Sequence, residues 1–163
     1  LDPEFFADAN LRANYKEPIE HFVGAARALG ATTDGAAFID WTYLTKQLLY
    51  YPPSVFSFYP PGQKRQLINT ATVTYRARAA DARARAWPAA WWSIKWDAGA
   101  LIQKHKLTTP DLALAWLEDT LLVGPLQPDV RQRILDYFEG GVNRWKFRGA
   151  VWLIMASPDY QRQ

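Results

Sequence analysis

The chain contains no cysteine, a single methionine and two histidines. Without cysteine there can be no disulfide, no Cys-ligated zinc and no thiol nucleophile. No His-Glu-x-x-His zinc motif, nucleophile elbow, phosphate loop or dinucleotide fingerprint occurs. The adjacent Glu20 and His21 diverge by about 100° on a helix, so they cannot aim at one target. No stretch approaches the roughly 20 apolar residues of a membrane span, and no signal peptide is visible. No pair of strands joined by a hairpin signal stands out. Nothing in the residues therefore names a reaction, and no metal or cofactor is expected.

What is present is an aromatic-rich chain of 163 residues, enough for one domain with a sizeable core. Apolar residues make up 49% and charged residues 21%, which is ordinary for a globular protein. Eight tryptophans are not ordinary. Trp is large and carries an N–H donor, so eight of them imply a thick core, an exposed aromatic surface, or both. The net charge of +3 is uneven: Lys64, Arg65, Arg76, Arg78, Arg83 and Arg85 face only Asp81, so residues 64–85 carry +5 and the rest −2.

The apolar spacing predicts helices throughout. Residues 16–29 place Ile19, Phe22, Val23, Ala26 and Leu29 on one face. Pro18 sits in the first turn and Gly30 ends the segment. Asp34 is the expected cap of a second helix with Phe38, Trp41, Leu44, Leu48 and Leu49, which Pro52 stops. Residues 63–86 read as one long helix, since the Arg-Ala alternation near its end consists of strong helix formers. Residues 93–104 form a shorter one. Thr109-Pro110-Asp111 is a cap followed by a first-position proline. Pro128 opens the next helix, which carries Val130, Ile134, Tyr137 and Phe138 to Gly140-Gly141. The last runs over 143–156, where Val151-Trp152-Leu153-Ile154-Met155 is apolar on every side, as in a buried central helix. The expected fold is all-α: an irregular bundle of about six or seven helices in one domain over residues 1–163, with one long Pro/aromatic loop.

That loop is Tyr50-Tyr51-Pro52-Pro53-Ser54-Val55-Phe56-Ser57-Phe58-Tyr59-Pro60-Pro61-Gly62. It belongs to a set of four pieces that resembles a known family. The first piece is Leu1-Asp2-Pro3-Glu4-Phe5-Phe6, with Lys16-Glu17-Pro18-Ile19-Glu20 and Ala26-Arg27-Ala28-Leu29-Gly30 after it. The second runs from Gln47-Leu48-Leu49 through Tyr59. The third is Leu67-Ile68-Asn69-Thr70-Ala71-Thr72 leading into Tyr75-Arg76. The fourth is Leu153-Ile154-Met155-Ala156-Ser157-Pro158-Asp159-Tyr160-Gln161. In this order they resemble the C-terminal part of the bacterial family catalogued as domain of unknown function 1800. The resemblance is weakest over residues 82–127. It implies a longer parent protein with a helical region before this one, and an exported location, periplasmic or at the cell surface. It supplies no catalytic residues.

Three features are candidates for contact. The loop either plugs a gap between helices, the reading favoured here, or lines a groove with aromatics such as Tyr51 and Tyr59. Trp87, Trp91, Trp92 and Trp96 are too many for one core corner, and rigid indoles suit a partner surface or a sugar platform. Arg76, Arg78, Arg83 and Arg85 read first as a solvated face; nucleic acid is a weak reading without a recognised motif. The predicted contact surface is Trp91, Trp92 and Trp96, with Arg76, Arg78, Arg83, Arg85, Tyr51 and Tyr59. The predicted function is a non-catalytic binding or assembly module of an exported protein. Its expected partner is the N-terminal region of the parent or another exported protein, with a glycan as a further possibility. The alternatives are part of a hydrolase completed by that missing region, and nucleic-acid binding through the Arg-rich helix.

Overall fold

The computed structural model describes residues 13–48, 50–52, 64–85 and 94–162, with the side chains of residues 64, 65 and 82–85 outside the description. Within them the chain is all-α. Seven α-helices follow one another: α1 Pro18–Ala28, α2 Ala36–Leu44, α3 Thr70–Arg85, α4 Ala98–Lys104, α5 Pro110–Leu121, α6 Pro128–Tyr137 and α7 Arg144–Ala156. A short 3-10 turn, Lys64–Leu67, precedes α3. Extended pairing among the described residues is limited to two isolated bridges, Tyr15 with Arg162 and Thr32 with Lys95.

Local chemistry accounts for most helix starts. Thr109 Oγ1 accepts the N–H of Leu112 ahead of α5, and Asn143 Oδ1 accepts those of Trp145 and Lys146 ahead of α7. Glu17 and Glu20 form a reciprocal capping box at α1, with Pro18 at the first position. Two starts differ from the sequence expectation. The cap of α2 is Gly35, whose φ of 85° needs a residue without Cβ, while Asp34 only accepts the N–H of Ala36. The predicted helix over 63–86 is split before Thr70. Asn69 and Thr72 exchange two hydrogen bonds at 3.0 and 3.1 Å, a box that starts α3 afresh.

Three of the ends follow one design. In α1, α2 and α4 the residue after the cap is left-handed, at Gly30, Lys46 and Lys106, with φ of 61°, 68° and 52°. The N–H groups of Ala31, Gln47 and Leu107 then return to the carbonyls of Ala26, Thr42 and Ile102. This ends α2 at Leu44, well before Pro52. Gln47 leaves the helix, and its side chain takes the N–H of Ile19 and bonds Glu17, fastening α2 to the first turn of α1.

The core gathers around α7. Phe147, Ala150, Val151, Ile154 and Met155 are fully buried among Leu114 and Leu117 of α5, Ile134 of α6, Ala80 of α3 and Trp96. The outer side of α7 is not closed: Trp152 keeps 37% of its surface. Gly149 lets Tyr137 of α6 lie against α7, since a Cβ there would stand 2.1 Å from the phenol oxygen.

Candidate functional site

After α7, residues 157–162 turn back into the bundle and build a buried polar cluster. Ser157 Oγ donates to the carbonyl of Ile154 at 2.7 Å, and the Tyr160 hydroxyl donates to the His21 carbonyl at 2.8 Å. Gln161 Nε2 donates to the carbonyl of Met155 at 2.9 Å, and its Oε1 accepts Arg76 Nη1 at 3.0 Å. The same Nη1 reaches the Lys16 carbonyl at 2.9 Å. Lys16 Nζ donates to the Leu121 carbonyl at the end of α5, at 3.2 Å, and lies 3.7 Å from the centre of the Tyr160 ring. Asp159 Oδ2 accepts the Gln127 N–H at 3.2 Å.

Two cations thus sit inside the protein. Burial lowers the Lys16 amine to about 8, against the opposing pull of Glu20. Burial also lowers the Arg76 guanidinium to about 10, opposed by Tyr160 and Glu20. Arg76 has no exposed surface, and its Nε and Nη2 find no hydrogen-bond partner among the described residues. Burying a charge with part of its donor set unmatched is costly. The carbonyls of Lys16 and Leu121 and the Gln161 amide offset that cost and tie α1, α3, α5 and the C-terminal turn together.

Beside this cluster lies a cleft of about 410 Å³ between α1 and α5, bordered by Lys16, Glu20, Gly24, Arg27, Thr120 and Tyr160. It has room for a small polar molecule. Neither histidine lines it. The His21 ring meets Phe22 and Tyr160 edge-on at 5.0 and 4.9 Å, and the exposed His105 caps α4 with its ring 4.8 Å from Trp116. Among the described residues no group of three His, Asp or Glu side chains could hold a metal ion.

The predicted contact residues are dispersed. Arg76 and Trp96, at 0% and 6% exposure, are core residues and not surface ones. Arg76 turns inward because Gln161 and the Lys16 carbonyl await it. Trp96 lies before α4, whose Asp97 cap starts the helix five residues later than position 93, so it never joins a helical tryptophan face. It packs on Phe147 instead. Tyr51 is 74% exposed and Arg78 is exposed. Trp87, Trp91, Trp92 and Tyr59, with most of the Pro/aromatic loop, lie outside the described residues, as do the side chains of Arg83 and Arg85. Glu118 accepts the Leu126 N–H and Arg131 Nε across the α5–α6 corner.

The structure adds an exposed apolar face that the sequence reading missed. In α2 the buried residues are small or polar, Ala37 and Thr42, while Ile39 and Tyr43 are 53% and 64% exposed. Tyr50 and Tyr51 follow at 97% and 74%. The missed signal was composition: in Ala36-Ala37-Phe38-Ile39-Asp40-Trp41-Thr42-Tyr43-Leu44 only Asp40 is charged, so some large apolar side chain has to face water.

These features describe an all-α bundle fastened by buried cations, a class defined by architecture and not by a reaction. The model of the family described as protein of unknown function (DUF1800) matches residues 1–162, and the chain belongs to that family. No curated protein and no solved structure matches it. Residues of three of the four resembling pieces, Lys16, Arg76, Tyr160 and Gln161, converge in the buried cluster, and Gln47 of the remaining piece fastens its edge at Glu17.

Proposed function

We propose that this chain is a non-catalytic helical module of an exported bacterial protein, and that it binds another polypeptide through the outer face of α2 and the step at Tyr50-Tyr51. One observation carries the reading: α2 turns Ile39 and Tyr43 outward while burying Ala37 and Thr42. Covering a large apolar side chain is worth about 1.5–3 kcal/mol. Phe38, Trp41 and Leu44 are already half-buried, so Ile39 and Tyr43 are surplus apolar surface of the kind that interfaces cover, where aromatic residues dominate the energy. The partner proposed is the helical region that precedes this one in longer family members.

A second reading keeps the chain as part of a hydrolase. It is favoured by the cleft beside Lys16, whose lowered amine could serve proton transfer near neutral pH. Against it, that amine is already held by the Leu121 carbonyl and the Tyr160 ring. The nucleic-acid reading loses Arg76, which faces the core.

Titration calorimetry between this chain and the preceding region of its parent tests the proposal. Saturable binding that Ile39→Asp and Tyr43→Asp each weaken at least about tenfold is expected, from the loss of buried apolar area. Undiminished, wild-type affinity in both variants, or no binding at all, would contradict it.

A further inference from the structure

The cleft between α1 and α5 sets a buried cation beside an open apolar wall. Lys16 keeps 8% of its surface, and an ammonium carries three N–H donors. One goes to the Leu121 carbonyl at 3.2 Å, and the Tyr160 ring centre lies 3.7 Å away. Neither partner is charged, and a ring face attracts a cation without neutralising it. No carboxylate forms an ion pair with Lys16 or Arg76 among the described residues. Glu20 pulls on both from farther away, so one carboxylate stands against two buried cations and a positive charge is left over. That carboxylate is also committed to the capping box, where Oε2 accepts the Glu17 N–H at 2.7 Å. Arg27 lines the cleft too, but it is exposed and water screens its charge.

Gly24 points the same way. It sits in the middle of α1 and is exposed. Glycine there weakens a helix relative to alanine. Its backbone is not left-handed, and a Cβ would meet no described atom within 4 Å. Neither conformation nor packing among the described residues calls for glycine. The missing side chain instead leaves the cleft open beside Ile19, Val23, Ala28 and Leu121, which line it. A local rule broken at a cleft wall points to a function that offsets it.

We propose that this cleft binds a short aliphatic monocarboxylate, its carboxylate on Lys16 and its chain over Gly24. One surplus positive charge suits a monoanion; a phosphate monoester, at about −1.5 to −2, would exceed it. The ammonium offers the carboxylate a charge-assisted hydrogen bond. Ile19, Val23 and Ala28 offer the chain apolar cover along about 13 Å of helix. A cleft of about 410 Å³ is of ordinary size for a ligand pocket. None of its lining residues belongs to α2, so the proposal does not depend on the interface reading.

Carbon-13 NMR of carbonyl-labelled hexanoate, acetate and hexanamide, each titrated with the chain, tests this. Hexanoate should show a saturable shift or broadening. Acetate should bind at least about tenfold more weakly, since each covered methylene is worth roughly fourfold. Hexanamide, of the same shape without the charge, should also bind at least about tenfold more weakly. Lys16→Met should weaken hexanoate by about tenfold. Gly24→Leu should fill the cleft and abolish binding, while the thermal midpoint holds or rises because the helix loses a glycine. Arg78→Gln, on exposed α3 surface, should change nothing. N-acetylleucine that outbinds hexanoate assigns the carboxylate to a peptide C-terminus, and the reverse order assigns it to a free acid. No saturable binding of hexanoate, equal affinity for hexanamide or acetate, or undiminished binding by Lys16→Met or Gly24→Leu overturns the proposal.

Discussion

Arg76 and Gln161 meet side chain to side chain at 3.0 Å, one from the second turn of α3 and the other from the turn that follows α7. The same guanidinium nitrogen holds the carbonyl of Lys16, just ahead of α1. One buried cation therefore joins both ends of the described chain to the long helix between them. Arg76→Ala should cost about 3–5 kcal/mol, because it leaves two buried acceptors unpaired beside a void. Arg76→Met should cost less, since it removes the same charge but fills much of the void. A double-mutant cycle of Arg76→Met with Gln161→Leu, read by urea denaturation, should return a coupling of at least about 0.5 kcal/mol. Strict additivity would show that the contact contributes nothing.

The Lys16 amine carries a definite pH signature. Its folded value is lowered from 10.5 to about 8 by burial. Below about 8 both states hold the proton and the full cost of burying the charge is present. As pH rises from about 8 toward 10.5 the folded amine is neutral while the unfolded one still binds a proton, so stability rises. Denaturation at about pH 7.5 and about pH 9.5 should therefore show wild type gaining on Lys16→Met. A constant difference between the two proteins would exclude this assignment.

Lys46 and Lys106 hold left-handed conformations that close α2 and α4. A side chain there costs about 1–2 kcal/mol, part of which glycine recovers. Lys46→Gly and Lys106→Gly should each raise stability by roughly 0.5–1 kcal/mol, visible as an upward shift in thermal midpoint. Destabilisation by either would mean that its side chain is making a contact worth more than the strain.

The exposed side chains of α2 should matter little to the isolated module. Ile39→Asp and Tyr43→Asp are expected to change its stability by no more than about 0.5 kcal/mol, as for ordinary surface sites. A loss of several kcal/mol in either would place these residues in the core and remove the interface reading.

The helices were legible wherever their punctuation is chemical. Pro18, Gly30, Thr109-Pro110, Pro128 and Asn143 mark ends that the structure keeps. The end of α2 was not legible, because the left-handed position carries Lys46 in place of glycine and the apolar pattern runs on through Leu48. The start of α3 was hidden for a similar reason: the Asn69–Thr72 box lies inside a continuous helical pattern. The site was less legible still. Arg76 looks from its neighbours like one member of a solvated row, and only Gln161, 85 positions away, draws it inward. Trp96 belonged by spacing to a tryptophan cluster, but Asp97 begins the helix just after it. Spacing locates faces; it does not show which face a distant segment will claim.

The central claim is that α2 and Tyr50-Tyr51 form the contact surface of a binding module. Hydrogen exchange on this chain with and without the proposed partner, a preceding helical region of a longer family member, tests it most directly. The account predicts that the α2 amides, residues 36–44, and those of Tyr50 and Tyr51 exchange at least about tenfold more slowly with that region present, as burial against a partner suppresses local opening. Equal exchange at these positions, with protection appearing elsewhere or nowhere, would contradict it.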